Sequence, residues 1–301
     1  MTRTENFQRV TGGVGLVVPV VLLLILVVLL QQAWPAVIHY GPGFLSAQVW
    51  DQVRLRFGAL PYIYGTVATS LLALLLAVPV GVGVALFLVE PGQAPIRGAI
   101  GIGVELLAAI PSVVYGLWAL YVMGPFVYRH IELPVSQHLG AFVLFGGTPR
   151  PTSLFSAGLV LAVMVLPTLA SVSRDVIRAV PSGLREASVA LGATWWETTW
   201  RVILPAARAG IFGAAILALG RALGETIAVT MIIGNRPAIT PHLFEPAYTL
   251  ASVIANEFTE ATAPLHSAAL AELGLVLIGV TLTVNLAALL LLRAISDQPK
   301  L

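Results

Sequence analysis

The chain has 301 residues, of which 58% are hydrophobic and 10% charged, with a formal net charge of +2 and no cysteine. A soluble globular domain carries about 25% charged residues, so the surplus apolar surface has to face lipid. These values exclude a disulfide framework, thiol chemistry and cysteine-ligated metal, and the absence of any basic run excludes nucleic acid as a partner.

The only lysine is Lys300, and no G-x-x-x-x-G-K pattern occurs. The chain therefore has no phosphate-gripping loop of its own, and any ATP that drives it is hydrolysed by another subunit.

A helix needs about 20 apolar residues to cross a bilayer. Six segments qualify: 14–30, 66–89, 99–123, 156–172, 209–233 and 273–292. The first has seventeen residues and no polar side chain. It is longer than a signal-peptide core of about 7–15 residues, and no clear A-x-A site follows at 33–36, so it reads as an uncleaved anchor. With the N-terminus inside, the inner segments hold Arg3, Arg9, Arg97, Arg174, Arg178, Arg185, Arg201, Arg208, Arg293 and Lys300. The outer loops hold Arg54, Arg56, Arg129, Arg150 and Arg236. Ten basic residues against five favour cytoplasmic placement of both termini.

Pro19, Pro79, Pro111 and Pro167 fall in or beside spans, where each kinks a helix, more often for architecture than for function. The Gly81/Gly83 and Ala209/Gly213 pairs offer small faces for close helix contact. Two long outer loops are expected, at 124–151 and 234–270, with a short helix at 247–258. They either receive an external partner or cap the bundle. All five histidines (His39, His130, His138, His242, His266) fall in these loops or their margins with no metal-binding spacing, and read as ordinary loop residues.

The longest inner connection runs from Arg174 to Arg208. Val180-Pro181-Ser182-Gly183 stops one helix and starts another, with Ser182 the expected N-cap. Arg185 occupies the position where a capping box needs glutamate, and Glu186 still benefits from the helix dipole. Glu186 to Leu191 forms one or two turns, and Gly192 ends them or admits another backbone. Trp195 and Trp196 suit either the headgroup layer or a protein contact, and Pro205 suits the first turn of the next span.

Arg221 and Glu225 stand in the fifth span, four residues apart and so on one helix face, with Arg221 near mid-depth. A charge at that depth costs about 2.5–3.5 kcal/mol on insertion scales. Either the two form a self-neutralising pair, or Arg221 faces a translocation path and attracts an anion while Glu225 holds its side chain. Guanidinium forks suit phosphate oxygens, which favours the second reading. Glu105, in the third span, is expected near the inner end, either wet or paired with a basic residue such as Arg221.

The inner loop resembles the EAA loop of ABC-importer permeases. The match is carried by Glu186, Ala187, Gly192, Val202, Leu204 and Pro205, with Ser188 in place of the usual alanine. Together with Ile110–Trp118, Gly220–Thr226, Ala251–Phe258 and Ala269–Gly274, the chain is similar to phosphate importer permeases of the PstC type over roughly residues 60–293. The resemblance implies an all-α, six-span type I permease in the cell inner membrane. Its units would be an anchor and first outer loop at 1–59, a core at 60–293 with the docking loop at 182–205, and a tail at 294–301.

The resemblance also implies a PstA-like permease partner, two PstB-like ATPases that carry ATP and magnesium, and a periplasmic or lipid-anchored phosphate-binding protein. It implies no cofactor in this chain, transport relevance for Arg221 and Glu225, and a less certain role for Glu105. The alternatives are the same fold serving another solute such as sulfate, molybdate or an amino acid, an ion-coupled carrier using the three charges as a relay, and a membrane scaffold.

Overall fold

The computed structural model describes residues 2–89 and 94–296. Lys300 and the end of the expected tail lie outside the described residues, as do the side chains of residues 2–10. Ten of the helical segments among the described residues organise the fold. They are α1 (Thr2–Tyr40), α2 (Leu60–Val89), α3 (Ala94–Ala109), α4 (Ser112–Leu139) and α5 (Leu154–Arg178). The short α6 (Ser182–Ala190) leads to α7 (Trp195–Leu223), α8 (Ile227–Ile232), α9 (Leu250–Glu257) and α10 (Pro264–Ser296). Among the described residues, extended pairing is limited to the Asp51–Arg56 bridge.

Five of these helices are long and apolar enough to cross a bilayer, and α3 with α4 makes a sixth crossing if the bent pair counts as one. The expected spans at 14–30, 66–89, 156–172 and 273–292 each lie within one helix. The third and fifth do not. The third breaks at Ile110-Pro111, where the chain turns by 98°. Proline pushes the residue before it out of the helical region, and Pro111 itself is extended (φ −61°, ψ 144°). The fifth ends at Leu223 and resumes as α8, with Gly224, Glu225 and Thr226 between. The expected outer loop at 124–151 is also corrected, because its first part continues as helix to Leu139.

The interior is built on α2, α5 and α7. Ala73, Ala77, Gly81 and Ala85 form a buried stripe at four-residue spacing on α2, and Ala214, Ala218 and Ala222 do the same on α7. Small residues let backbones approach closely where lipid gives no hydrophobic drive between helices. The expected small pairs are half right. A Cβ on Gly81 would meet Leu169 Cδ2 at 2.6 Å, whereas Gly83 and Gly213 face open space, and Gly210 is the glycine that meets Val176. The apolar faces of α1 and α10 stay largely exposed, as a lipid-facing surface should.

Three π turns share one cause. Ala119–Met123, Tyr128–Glu132 and Thr199–Ile203 each end two residues before a proline, namely Pro125, Pro134 and Pro205. The ring lacks an N–H and crowds the carbonyl four residues back, and a locally wider turn relieves that clash without ending the helix.

A cap closes the end of the bundle away from α6. Thr66 Oγ1 accepts from Leu250 N at 2.9 Å, and Thr249 Oγ1 accepts from Ser252 N at 3.2 Å, so α9 starts on a side-chain cap and is tied to α2. This is the short helix expected at 247–258. His266 departs from its expected role as an ordinary loop residue. It is 4% exposed, pairs with Glu257 Oε2 at 3.0 Å and stacks on Phe57, while Trp50 Nε1 donates to the same oxygen at 2.8 Å.

Gly65 of α2 lies against the backbone of the cap, where an added Cβ would collide with the Tyr248 carbonyl. Gly65→Ala should destabilise the protein by about 1–3 kcal/mol through that overpacking. Gly83→Ala should leave it unharmed, because nothing lies within 4 Å. Thermal unfolding of the two purified variants in the same detergent checks the contrast: equal melting temperatures would contradict it.

Candidate functional site

The first functional element is α6. None of its residues is buried, and Leu184, Val189 and the following Leu191 are 46%, 54% and 89% exposed. Pro181 takes the N-cap position, which corrects the expectation for Ser182: the serine is the first helical residue and makes no cap bond. Pro181 is preset for a helix start but carries no side-chain acceptor.

Gly192 ends the helix with φ +87°, in a region that favours glycine. Gly192 N donates to Val189 O at 2.9 Å and Ala193 N to Ser188 O at 3.2 Å, the bond pair of a Schellman stop. No atom lies within 4 Å of a Cβ there, so the turn itself, not a close approach, explains the glycine.

Thr194 then starts α7 with a capping box. Its hydroxyl accepts from Glu197 N, and Glu197 accepts from Thr194 N at 2.9 Å. The T-x-x-E signature of that box is plain in Thr194-Trp195-Trp196-Glu197, twelve residues beyond the position expected at Ser182. The helix therefore begins ten residues before Pro205, and the expectation that Pro205 opens the span is corrected: it follows a π turn inside α7. Ser188 Oγ and Thr198 Oγ1 lie 2.9 Å apart and tie α6 to α7. Trp196 and Trp200 remain 61% and 53% exposed and pack edge to face on each other.

The second element is the pair of broken spans. At the first break, α3 ends with unpaired carbonyls, and Tyr115 OH donates to Leu107 O across the bend at 2.8 Å. An apolar cavity of about 300 Å³ lies there, lined by Leu107, Ile110, Val114, Tyr115, Trp118 and Val163. At the second break, Arg221 occupies the last turn of α7. The helix stops between Arg221 and Glu225, so the two do not share a helix face, and no ion pair joins them. Arg221 is exposed, its Nη1 donates to Thr168 Oγ1 of α5 at 3.3 Å, and it lies within electrostatic reach of Tyr115. Glu225 Oε1 instead accepts from Ala228 N at 3.4 Å, at the start of α8.

The two breaks meet. The segment α8 packs against the start of α4, and Gly116 makes this possible: a Cβ there would sit 2.5 Å from Met231 Sδ and 3.1 Å from Ala228 Cα. Non-helical backbone at membrane depth is tolerated only inside protein or beside a water-filled cavity. An exposed guanidinium beside two such breaks is an arrangement that can hold an anion weakly. Glu105 is not part of it. It lines a separate cavity with Arg97, Arg174 and Arg178, so of its expected partners the structure supplies other arginines and not Arg221.

Sequence reasoning also missed Glu132, which is fully buried. Ser153 Oγ and Ser156 Oγ donate to its Oε1 at 2.6 and 3.1 Å. Residue 132 lay in a segment read as loop, where a carboxylate attracts no notice. Glu272 of α10, 7% exposed, was likewise not singled out.

Residues 3–298 match the family described as binding-protein-dependent transport system inner membrane component. The phosphate transport system permease protein PstC of Mesorhizobium japonicum is 44% identical over 292 residues, covering 95% of this chain and 89% of the relative. That of Haemophilus influenzae is 43% identical, covering 91% and 88%. In fold, the chain is similar to a bacterial alginate ABC transporter (TM-score 0.63, 17% identity, 100% of both chains). It is similar also to the inward-facing MetNI methionine ABC transporter (TM-score 0.57, 22% identity, 78% and 94% covered). Helix order, exposed loop helix and sequence agree: this chain is a multi-span inner-membrane permease and belongs to the family of binding-protein-dependent transport system inner membrane components.

Proposed function

We propose that this chain forms half of the translocation pathway of an ATP-driven importer of inorganic phosphate. The observation that carries the reading is its identity of 41–44% with several phosphate transport system permeases, over more than nine-tenths of its length in the most similar ones. The other half would come from a PstA-like permease. Two PstB-like ATPases, which would hold ATP and magnesium, would dock on α6, and a periplasmic or lipid-anchored phosphate-binding protein would dock on the cap. Both termini would then be cytoplasmic, in keeping with the excess of basic residues on that side.

The geometry supports a lever. The exposed α6 is bonded through Ser188 to Thr198, and α7 then runs as one 29-residue helix to the break beside Arg221. At about 1.5 Å per residue that rod is about 40 Å long. Movement of an ATPase against Glu186, Ala187 and their neighbours reaches the far end of α7 without loss in a flexible loop. There Arg221 offsets the cost of an anion in a low-dielectric passage, while its one side-chain hydrogen bond, a long one to Thr168, leaves donors for phosphate oxygens. The site must stay weak, because tight binding would trap the ion.

Arg221→Gln should lower phosphate uptake by the reconstituted complex at least tenfold, by analogy with the loss of a charge-assisted hydrogen bond. Co-purification of the ATPases should be unaffected. Uptake at the wild-type rate would remove Arg221 from the pathway, and a complex that moves sulfate or molybdate in place of phosphate would reassign the solute.

Ala187→Pro removes a backbone donor in mid-helix, at a cost of about 3 kcal/mol to α6. Affinity purification should then recover the permease without ATPase. Recovery of the intact complex would mean that the nucleotide subunits bind elsewhere.

A further inference from the structure

A second basic site lies at the α6 end of the bundle, away from Arg221. Arg97, Gly98, Gly101, Ile102 and Glu105 fall on one stripe of α3, at the spacing of successive turns. Arg174 and Arg178 are four residues apart on the last turns of α5. The two faces enclose a cavity of about 360 Å³, closed on a third side by Leu88 near the end of α2. Gly98 and Gly101 leave it open: a Cβ on the first meets nothing within 4 Å, and on the second only Leu88 Cδ2 at 3.9 Å.

The charges around this cavity do not neutralise one another. Among the described residues, the one ion pair here joins Arg174 Nε to Asp175 Oδ1 at 3.4 Å, a neighbour in sequence whose side chain is 64% exposed. Arg97, Arg178 and Glu105 have no ion pair. Three guanidinium charges less the Glu105 carboxylate and the Asp175 carboxylate paired with Arg174 leave one net positive charge, with Arg97 and Arg178 free of ion pairs, beside apolar Leu88 and Ile102. Converging guanidinium groups repel unless an anion joins them, and their planar forks match phosphate oxygens in pairs. Basic pockets between membrane helices suit phosphate-bearing lipid head groups for the same reason.

We propose that Arg97, Arg174 and Arg178 form a binding site for a phosphate-bearing anion. The anion is either free inorganic phosphate from the aqueous side or the phosphodiester head group of an anionic lipid. Glu105 helps to tell them apart, because hydrogen phosphate carries a P–OH that donates to a carboxylate and a phosphodiester group does not. The site sits where α5 turns into α6, so its occupant ties the ends of α2, α3 and α5 together next to the exposed helix. It is independent of which solute crosses the membrane.

The test uses the full-length chain in its assembled complex, with Arg221→Gln as the background so that the pathway arginine contributes nothing. In nanodiscs of phosphatidylcholine alone, inorganic phosphate is titrated calorimetrically at low ionic strength, where such attraction is least screened. In nanodiscs that also contain phosphatidylglycerol, native mass spectrometry counts the retained lipid.

Adding Arg174→Gln and Arg178→Gln should cut binding of one probe at least tenfold. Loss in the first arm identifies a soluble anion, and loss in the second a lipid. Gly101→Phe fills the cavity and keeps all three arginines, so it should produce the same loss even if the double variant folds poorly. Unchanged binding of both probes by the Gly101→Phe protein, or no binding of either probe by the background protein, overturns the proposal.

Discussion

A peptide group in lipid must find its hydrogen bond within the protein, and every departure from a straight helix in this molecule is arranged around that demand. Three prolines sit inside long helices behind a π turn, which spares the ring its clash while the helix continues. Where the chain does break, at Ile110-Pro111, the loose carbonyl at Leu107 receives the Tyr115 hydroxyl. At the other break, Glu225 accepts from Ala228 N in the first turn of α8. Both interruptions are therefore supported, and the helices that follow them, α4 and α8, pack on each other.

The breaks and the rod between them divide labour along one helix. The α6 end of α7 carries a capping box and an exposed aromatic pair, which fix its starting direction and leave apolar surface for a partner. The other end carries a guanidinium whose charge has no carboxylate partner beside it. Packing against α2 and α5, the bond to α6 and the break beside Arg221 thus belong to the same 29-residue element.

Arginine placement follows a related logic. Arg221 has one side-chain hydrogen bond and, among the described residues, no ion pair. Arg97, Arg174 and Arg178 line one cavity where faces of α3 and α5 meet. Glu105 belongs to the second group and not to the first, although both arginine environments were open to it from the sequence.

Much was legible in the chain alone. Apolar runs place the candidate spans because lipid demands length and composition, both of which are local. The short inner-loop helix was legible from Glu186, Ala187 and Gly192 because a Schellman stop favours glycine in the left-handed region. Other features depended on neighbours distant in sequence. Pro79, Pro111 and Pro167 look alike in sequence, yet only Pro111 marks a break, because Tyr115 and the packing of α8 on α4 stabilise the bend there. Arg221 and Glu225 are spaced as a helical pair, but Gly224 ends the helix between them and each finds another partner. Glu132 looked like a loop residue until Ser153 and Ser156 of α5 closed over it. The sequence determined the apolar helices and the stop of the inner-loop helix, since these rest on composition and local backbone preference. The tertiary structure decided which interruptions hold and which charges meet, since that depends on hydrogen bonds supplied by other helices.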